Sequence, residues 1–360
     1  MKIYLVGGAV RDGLLGITPK ERDWLVVGGS EEAMLAQGFK RADADFPVFL
    51  HPDSGEEYAL ARIERKSGSG YKGFEVDAGP EVTLEQDLQR RDFTINAMAR
   101  DESEALIDPL DGLKDLQDKR IRHISPAFVE DPLRVLRAAR FAARLDFVVD
   151  AETMSLLQQM VSSGELATIK PERLWQEILD AITGQAPWRF WQVLQECGAL
   201  VALDLSMPDL TKSVAALKRA TALSESPLVR VAAVLYQAGG AKAFEKSLRL
   251  PREYAWMLDA LVAHAANIDS ASVADANTIL GMITELKAER QPERWGQFLQ
   301  AASAIWPELM EQATPNLDRA MQAIASLSAV ELQQQGLSGK ELGIELQRLR
   351  LEAVRSSLSC

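Results

Sequence analysis

The sequence predicts an α+β protein: a small head with a mixed sheet, followed by a long all-helical remainder. Three observations carry this. Short apolar runs separated by turn residues fill the first 125 positions, and helical periodicity fills nearly everything after Glu130. The 360 residues are 47% hydrophobic and 26% charged, the proportions of a globular protein with ample core material.

In order, Ile3–Val6 is predicted to be a strand, Ala9–Leu15 a short helix, Asp23–Val27 a strand and Glu31–Gln37 a helix. Pro47–Leu50 and Glu57–Ile63 flank Pro52-Asp53-Ser54-Gly55, residues suited to a hairpin turn. Residues 65–73 (RKSGSGYKG) have no periodicity and predict a mobile, positively charged loop. Thr83-Leu84-Glu85-Gln86 is a capping-box pattern, Asp111-Gly112 marks a turn, and Arg120–Ile124 is a last strand.

Asp131-Pro132 then predicts an N-cap followed by proline at the first helical position, and Lys170-Pro171-Glu172 starts another helix. Residues 205–230 shift toward Ser, Pro and Thr, which suggests a boundary. Pro292 and Pro315 are expected to break later helices, and Ser338-Gly339-Lys340-Glu341 is a second capping box opening a final helix.

Cys197 and Cys360 form neither a disulfide framework nor a ligand pair, which points to a reducing cytoplasm. The apolar run at Ile3–Val6 is too short for a signal peptide, and no segment is long enough to span a membrane. The net charge of −12 argues against nucleic acid when taken alone. Phosphate binding depends on local clusters rather than the total, so composition leaves the matter open.

Four segments can carry chemistry. In LVGGAVRD, Gly8 lets a ligand approach the backbone at a helix start, and Arg11 would face the same anion. Glu21 and Asp23 are two apart on a strand, so their carboxylates project together; paired hard oxygens suit Mg²⁺. The alternatives are a tight turn and an exposed polar strand end.

Arg90-Arg91-Asp92-Phe93-Thr94-Ile95-Asn96 places arginine forks for phosphate beside Asp92 and Asn96, which suit ribose hydroxyls. The alternative is a helix end with a pair such as Asp87–Arg91. Finally, Arg134, Arg137, Arg140 and Arg144 fall within an arc of roughly 120° on a helix. No acid lies between Pro132 and Arg144 to pair with them, so an anionic ligand is expected there. Asp131 is either an N-cap or, with Arg134, a hydrogen-bonding edge.

Together these segments, with FPVFLHP at 46–52, RKSGSGY at 65–71 and EDPLRVLRAARFAARL at 130–145, resemble the class II tRNA nucleotidyltransferases. That family comprises the bacterial CCA-adding enzymes and their poly(A) polymerase relatives, and the match runs from Met1 to about Leu200. The resemblance implies a DNA polymerase beta-type nucleotidyltransferase head at 1–125. It also implies a helical neck at 126–204, a body at 205–315 and a tRNA-binding tail at 316–360.

By the same resemblance the substrates are tRNA, CTP and ATP, and two Mg²⁺ are the cofactor. Gly8 and Arg11 would hold the triphosphate, and Glu21 and Asp23 the metal. Arg91 and Asp92 would contact ribose and phosphate. Asp131 and Arg134 would read the incoming base, with Arg137 and Arg140 as further nucleotide contacts. The loop at 65–73 would help switch from CTP to ATP.

Two departures stand out. The family usually has Asp where this chain has Glu21. Tyr236 and Gln237 stand where relatives with a metal phosphohydrolase domain carry His-Asp, so no phosphatase activity is expected. Glu57 and Asp77 are candidates for a third metal carboxylate. His264, Trp188, Trp191 and Trp295 are expected to be packing residues. No protein partner is implied. The alternatives are an A-adding enzyme, a poly(A) polymerase, or a catalytically impaired tRNA-binding protein.

Overall fold

A computed structural model describes residues 1–42, 46–66 and 74–359. The chain divides into two compact units, Met1–Leu203 and Asp204–Cys360.

The first unit opens with β1 (Lys2–Val6), α1 (Gly8–Leu14), β2 (Asp23–Val27), α2 (Glu31–Ala36), β3 (Lys40–Arg41), β4 (Val48–Leu50) and β5 (Glu57–Leu60). Next come β6 (Arg62–Lys66), β7 (Phe74–Ala78), α3 (Leu84–Gln89), β8 (Ala99–Arg100), β9 (Leu106–Ile107), α4 (Gly112–Gln117) and β10 (Arg120–Ile121). Among the described residues the main sheet has seven strands, in the order β3-β4-β5-β2-β1-β8-β9. It is mixed: β1 runs antiparallel to β2 and β8, while β2 and β5 are parallel, with Asp23 in register with Glu57.

Alternation along β2 explains why this strand is central. Leu25 packs with Val6, Leu84 and Leu88 on one face, and Val26 with Met34, Phe49 and Leu60 on the other. A strand buried on both faces has no place for charge except at its ends, which puts Asp23 at the sheet margin.

The hairpin turn at 52–55 forms as expected, with Gly55 at φ +71° and its amide donating to His51 O. The expected strand 57–63 splits instead at Ala61; β6 leaves the sheet and pairs with β7. The expected strand at 120–124 is only two residues long and joins β11 (Val148–Val149) outside the main sheet. The Thr83–Gln86 capping box is present, with both reciprocal hydrogen bonds.

The remaining helices of this unit are α5 (Leu133–Leu145), α6 (Ala151–Ser162), α7 (Pro171–Ile182), α8 (Trp188–Glu196) and α9 (Ala199–Ala202). Helix α5 packs against α7 and α8 and buries Leu133, Val135, Leu136, Phe141 and Leu145. Each such side chain contributes about 1.5–3 kcal/mol. The helix starts later than the Asp131-Pro132 pattern predicts, because Pro126–Glu130 forms a 3₁₀ turn ahead of it. The Asp131 Oδ1 still accepts from the Leu133 amide at 3.0 Å.

The second unit is entirely helical: α10 (Leu210–Leu223), α11 (Pro227–Leu235), α12 (Arg252–Ser272), α13 (Ala276–Glu285), α14 (Pro292–Ile305), α15 (Pro307–Ala325), α16 (Ala329–Gln334) and α17 (Gly339–Leu358). Pro292 falls between α13 and α14, as the first residue of the latter. Pro315 does not end a helix, because it lies inside α15. An interior proline costs about 3 kcal/mol. The stripe Met310, Ala313, Leu317, Ala320 and Ile324 is buried along the same helix, and its three large side chains together outweigh that cost. Ser338 flanks α17, but its side chain makes no capping hydrogen bond.

Trp191 is fully buried, Trp188 is half-buried on the same helix, and Trp295 stacks on Phe298. His264 is buried beside Asn267. Tyr236 packs edge-on against Trp306. No helix among the described residues is long and apolar enough to cross a membrane.

Candidate active site

A cleft of about 710 Å³ in the first unit is lined by eleven of the residues singled out from the sequence: Gly8, Arg11, Glu21, Asp23, Arg91, Asp92, Asn96, Asp131, Arg134, Arg137 and Arg140. They arrive from the β1–α1 turn, the start of β2, the segment after α3, and α5. Glu57, Asp12, Arg62, Arg90, Phe141 and Arg144 share the wall.

The turn from β1 into α1 depends on Gly7, which lies at φ +69°. A Cβ there would sit 2.8 Å from Arg91 Nη1. Gly7→Ala is therefore expected to cost about 1–3 kcal/mol in backbone strain and to displace the Arg91 guanidinium. Urea unfolding measures this; unchanged stability would show that neither constraint operates.

On the acidic side, Glu21 precedes the strand and Asp23 begins it, so strand alternation does not by itself align them. Glu57 is brought alongside Asp23 by the parallel register of β2 and β5. Asp77 pairs instead with Ile63 on the β6–β7 hairpin and is absent from the cleft wall. Much of the Asp23 residue meets solvent, but its carboxyl lies within the cleft. Desolvation there raises its pKa above the usual carboxylate range; Arg91 opposes the rise and Glu21 adds to it.

On the basic side, the expectation of unpaired arginines is corrected. Each of the four finds a partner from another segment, which spacing within one helix cannot reveal. Arg137 donates to Asp92 Oδ2 at 2.7 Å, Arg140 to Glu177 at 2.6 Å and Arg144 to Asp12 at 2.8 Å. Arg134 donates to the carbonyls of Arg90 (2.9 Å) and Ala127 (3.2 Å).

The Asp87–Arg91 pair weighed from the sequence is also present at 3.1 Å, and Asp87 holds Arg90 at 2.7 Å as well. Arg11 is buried; it donates to Asp12 Oδ1 through Nε and Nη2 and to Asn96 Oδ1 through Nη1. Asn96 in turn donates to Asp92 Oδ1 at 3.0 Å.

A continuous network thus runs Asp12–Arg11–Asn96–Asp92–Arg137 and ties α1 to α5. Burial alone would raise the Asp92 pKa, but Arg137, Asn96 and the Phe93 amide over-compensate and hold it below the ordinary range. The Phe141 ring lies under three guanidiniums, those of Arg11, Arg137 and Arg140, at 4.4–5.5 Å. Asp12, Glu177 and Phe141 were not foreseen. The one available signal was Asp12, an acid placed directly beside Arg11 in a short apolar helix.

Residues 3–122 match the poly A polymerase head domain, and residues 146–210 match a probable RNA and SrmB-binding site of polymerase A. A CCA-adding enzyme of Coxiella burnetii is 42% identical over 100% of this chain and 96% of its own length. One of Pseudomonas putida is 46% identical over 99% of both.

The chain belongs to the CCA-adding enzymes.

Their fold agrees as well. The solved complex of the Thermotoga maritima CCA-adding enzyme with tRNA superposes with a TM-score of 0.70 at 22% identity, covering 99% of this chain and 91% of the other. A CCA-adding enzyme complex with CTP gives 0.73 at 22% identity, over 98% and 86%. The mixed head sheet and the helical remainder are therefore those of this family. Residues 67–73 of the basic loop lie outside the described residues.

Proposed function

We propose that this chain adds CCA to the 3′ end of tRNA without a nucleic-acid template, using CTP and ATP and releasing pyrophosphate. The observation that carries this reading is the cleft itself. An acidic edge of Glu21, Asp23 and Glu57 faces a wall of arginines, within a chain of this family. The tRNA 3′-hydroxyl attacks the α-phosphate and pyrophosphate leaves, so the protein's task is positioning and charge.

Mg²⁺ fits the acidic edge. The pKa of Asp23 is raised mainly by desolvation, with Glu21 adding to it against Arg91, so a cation would relieve a charge that water does not reach well, and the donors are hard oxygens. Among the described residues no three acidic, His or Cys side chains close into a cage. That suits an ion which takes one or two carboxylates and completes its shell with phosphate oxygens. Bound there by Glu21 and Asp23, it would activate the hydroxyl and stabilise the leaving charge.

In this reading Gly8 and Arg11 sit at the triphosphate, and Arg91, Asp92 and Asn96 at ribose and phosphate. Asp131, just ahead of α5, and Arg134, in its first turn, read the base edge, flanked by Arg137 and Arg140. Cytosine and adenine differ in their donors and acceptors, and a mispaired buried polar group costs about 1–3 kcal/mol. The anchoring of Arg134 on two backbone carbonyls supports the reader role, since a fixed fork discriminates and a mobile one adapts. The neck, body and tail divisions at 126–204, 205–315 and 316–360 belong to the same reading, as does a cytoplasmic site of action.

Incubating the chain with Mg²⁺, labelled CTP and ATP, and tRNA ending before CCA tests it. Addition of two C and one A, then arrest, is expected. A-only addition or a long A ladder would move the chain to the A-adding or poly(A) class. Binding without incorporation would make Glu21 the lesion of a tRNA-binding protein.

A further inference from the structure

The second unit carries a cleft of about 1,230 Å³, larger than the roughly 300–1,000 Å³ of small-molecule pockets. Arg252, Lys287, Arg290 and Arg294 line it, against only two carboxylates, Glu253 and Glu293. In a chain with net charge −12, this is a local reversal of sign.

Arg252, Lys287 and Arg290 are exposed and have no carboxylate within ion-pair distance among the described residues. Two arginines of α17 differ: Arg348 is held by Glu345 and Glu352, and Arg350 by Glu289. The Arg294 guanidinium lies over the Trp256 ring, 3.2 Å from its centroid, which holds it in the wall. Burial lowers its pKa and Arg252 lowers it further, against Glu253, so the cations crowd one another.

Three helices also begin at this cleft: α11 at Pro227, α12 at Arg252 and α14 at Pro292. None has a side-chain cap, so each presents the positive end of its dipole there. A broad, cationic, phosphate-seeking surface suits a chain of phosphates better than a single ion.

We infer that this cleft grips the sugar–phosphate backbone of the RNA substrate through Arg252, Lys287 and Arg290. The inference rests on the reading of the substrate as tRNA.

The test is the full chain carrying R252Q, K287N and R290Q. Lys287 lies at φ +53°, a conformation asparagine also tolerates, and all three side chains are exposed, so the fold should hold. Anisotropy of labelled tRNA lacking CCA, read across a salt series, should show a Kd raised about tenfold or more. The slope of log K against log salt should shrink by about 2–3, nearly one for each phosphate that is no longer neutralised. The kcat at saturating tRNA should stay at the wild-type level, and R252K/R290K should bind as wild type does.

An unchanged Kd and slope in the triple variant would overturn the inference while leaving the activity reading intact. Failure of the wild-type chain to bind or extend tRNA would instead overturn that reading. Titration with ATP supplies the remaining arm. Lost ATP affinity with intact tRNA affinity would assign the cleft to a free nucleotide and sink the RNA assignment.

Discussion

Asp23→Asn is expected to lower nucleotide incorporation about a thousandfold or more while leaving the metal-free protein slightly more stable at neutral pH. A thousandfold loss corresponds to about 4 kcal/mol of barrier, the scale of losing a metal-held charge at the reacting phosphate. The stability gain follows from linkage. The folded-state pKa of Asp23 is raised by desolvation and by Glu21, against Arg91. Folding therefore favours the protonated carboxyl, and the stability tied to this group is fully present below its unfolded value. It is lost as pH rises through the higher folded value.

At neutral pH the charge is a net cost that asparagine removes at nearly the same size. The melting temperature of Asp23→Asn should exceed that of the wild type at pH 7, and the difference should vanish in acid. Added Mg²⁺ should raise the melting temperature of the wild type and not of the variant. Full-rate incorporation by the variant, or equal Mg²⁺ stabilisation of both proteins, would remove Asp23 from the metal site.

The cleft was more legible in the sequence than its wiring. All eleven positions meet in one cleft because they come from four short stretches, the β1–α1 turn with α1, the approach to β2, the segment after α3, and one face of α5 with the residue ahead of it, and within each stretch local pattern sets which side chains share a side. What the pattern could not supply was tertiary pairing. The arginines of α5 look unpartnered along their own helix, but Asp12, Asp92 and Glu177 reach them from 37 to 132 residues away.

Glu57 is similar: only the parallel pairing of β2 with β5, a choice made by the sheet, sets it beside Asp23. The errors in element boundaries have the same origin. Pro315 reads as a breaker, yet a buried stripe on both sides of it holds α15 together. The expected strand at 120–124 shortens because its partner is β11 rather than the main sheet. Local propensity loses wherever burial or pairing contributes more.

Asp12 is where that hidden pairing should matter most for stability, and Asp12→Ala is expected to cost about 3–5 kcal/mol. Arg11 is 2% exposed, and Asp12 takes two of its N–H donors as well as one from Arg144. Removing the carboxylate leaves a buried guanidinium with Asn96 as its one side-chain acceptor among the described residues, beside the Phe141 ring, a large loss for a domain whose whole stability is about 5–15 kcal/mol. The opposite truncation is mild by comparison. The Arg144 side chain is 40% exposed, so Arg144→Ala lets its partner keep Arg11 and should cost under about 1 kcal/mol.

Pairing Asp12→Ala with Arg11→Met should recover much of the loss, because an apolar side chain of similar length leaves no uncompensated charge. Denaturant unfolding of the three variants decides the matter. If Asp12→Ala cost no more than Arg144→Ala, or if Arg11→Met gave no recovery, the network from α1 through Asn96 and Asp92 to α5 would not be what holds these arginines in place.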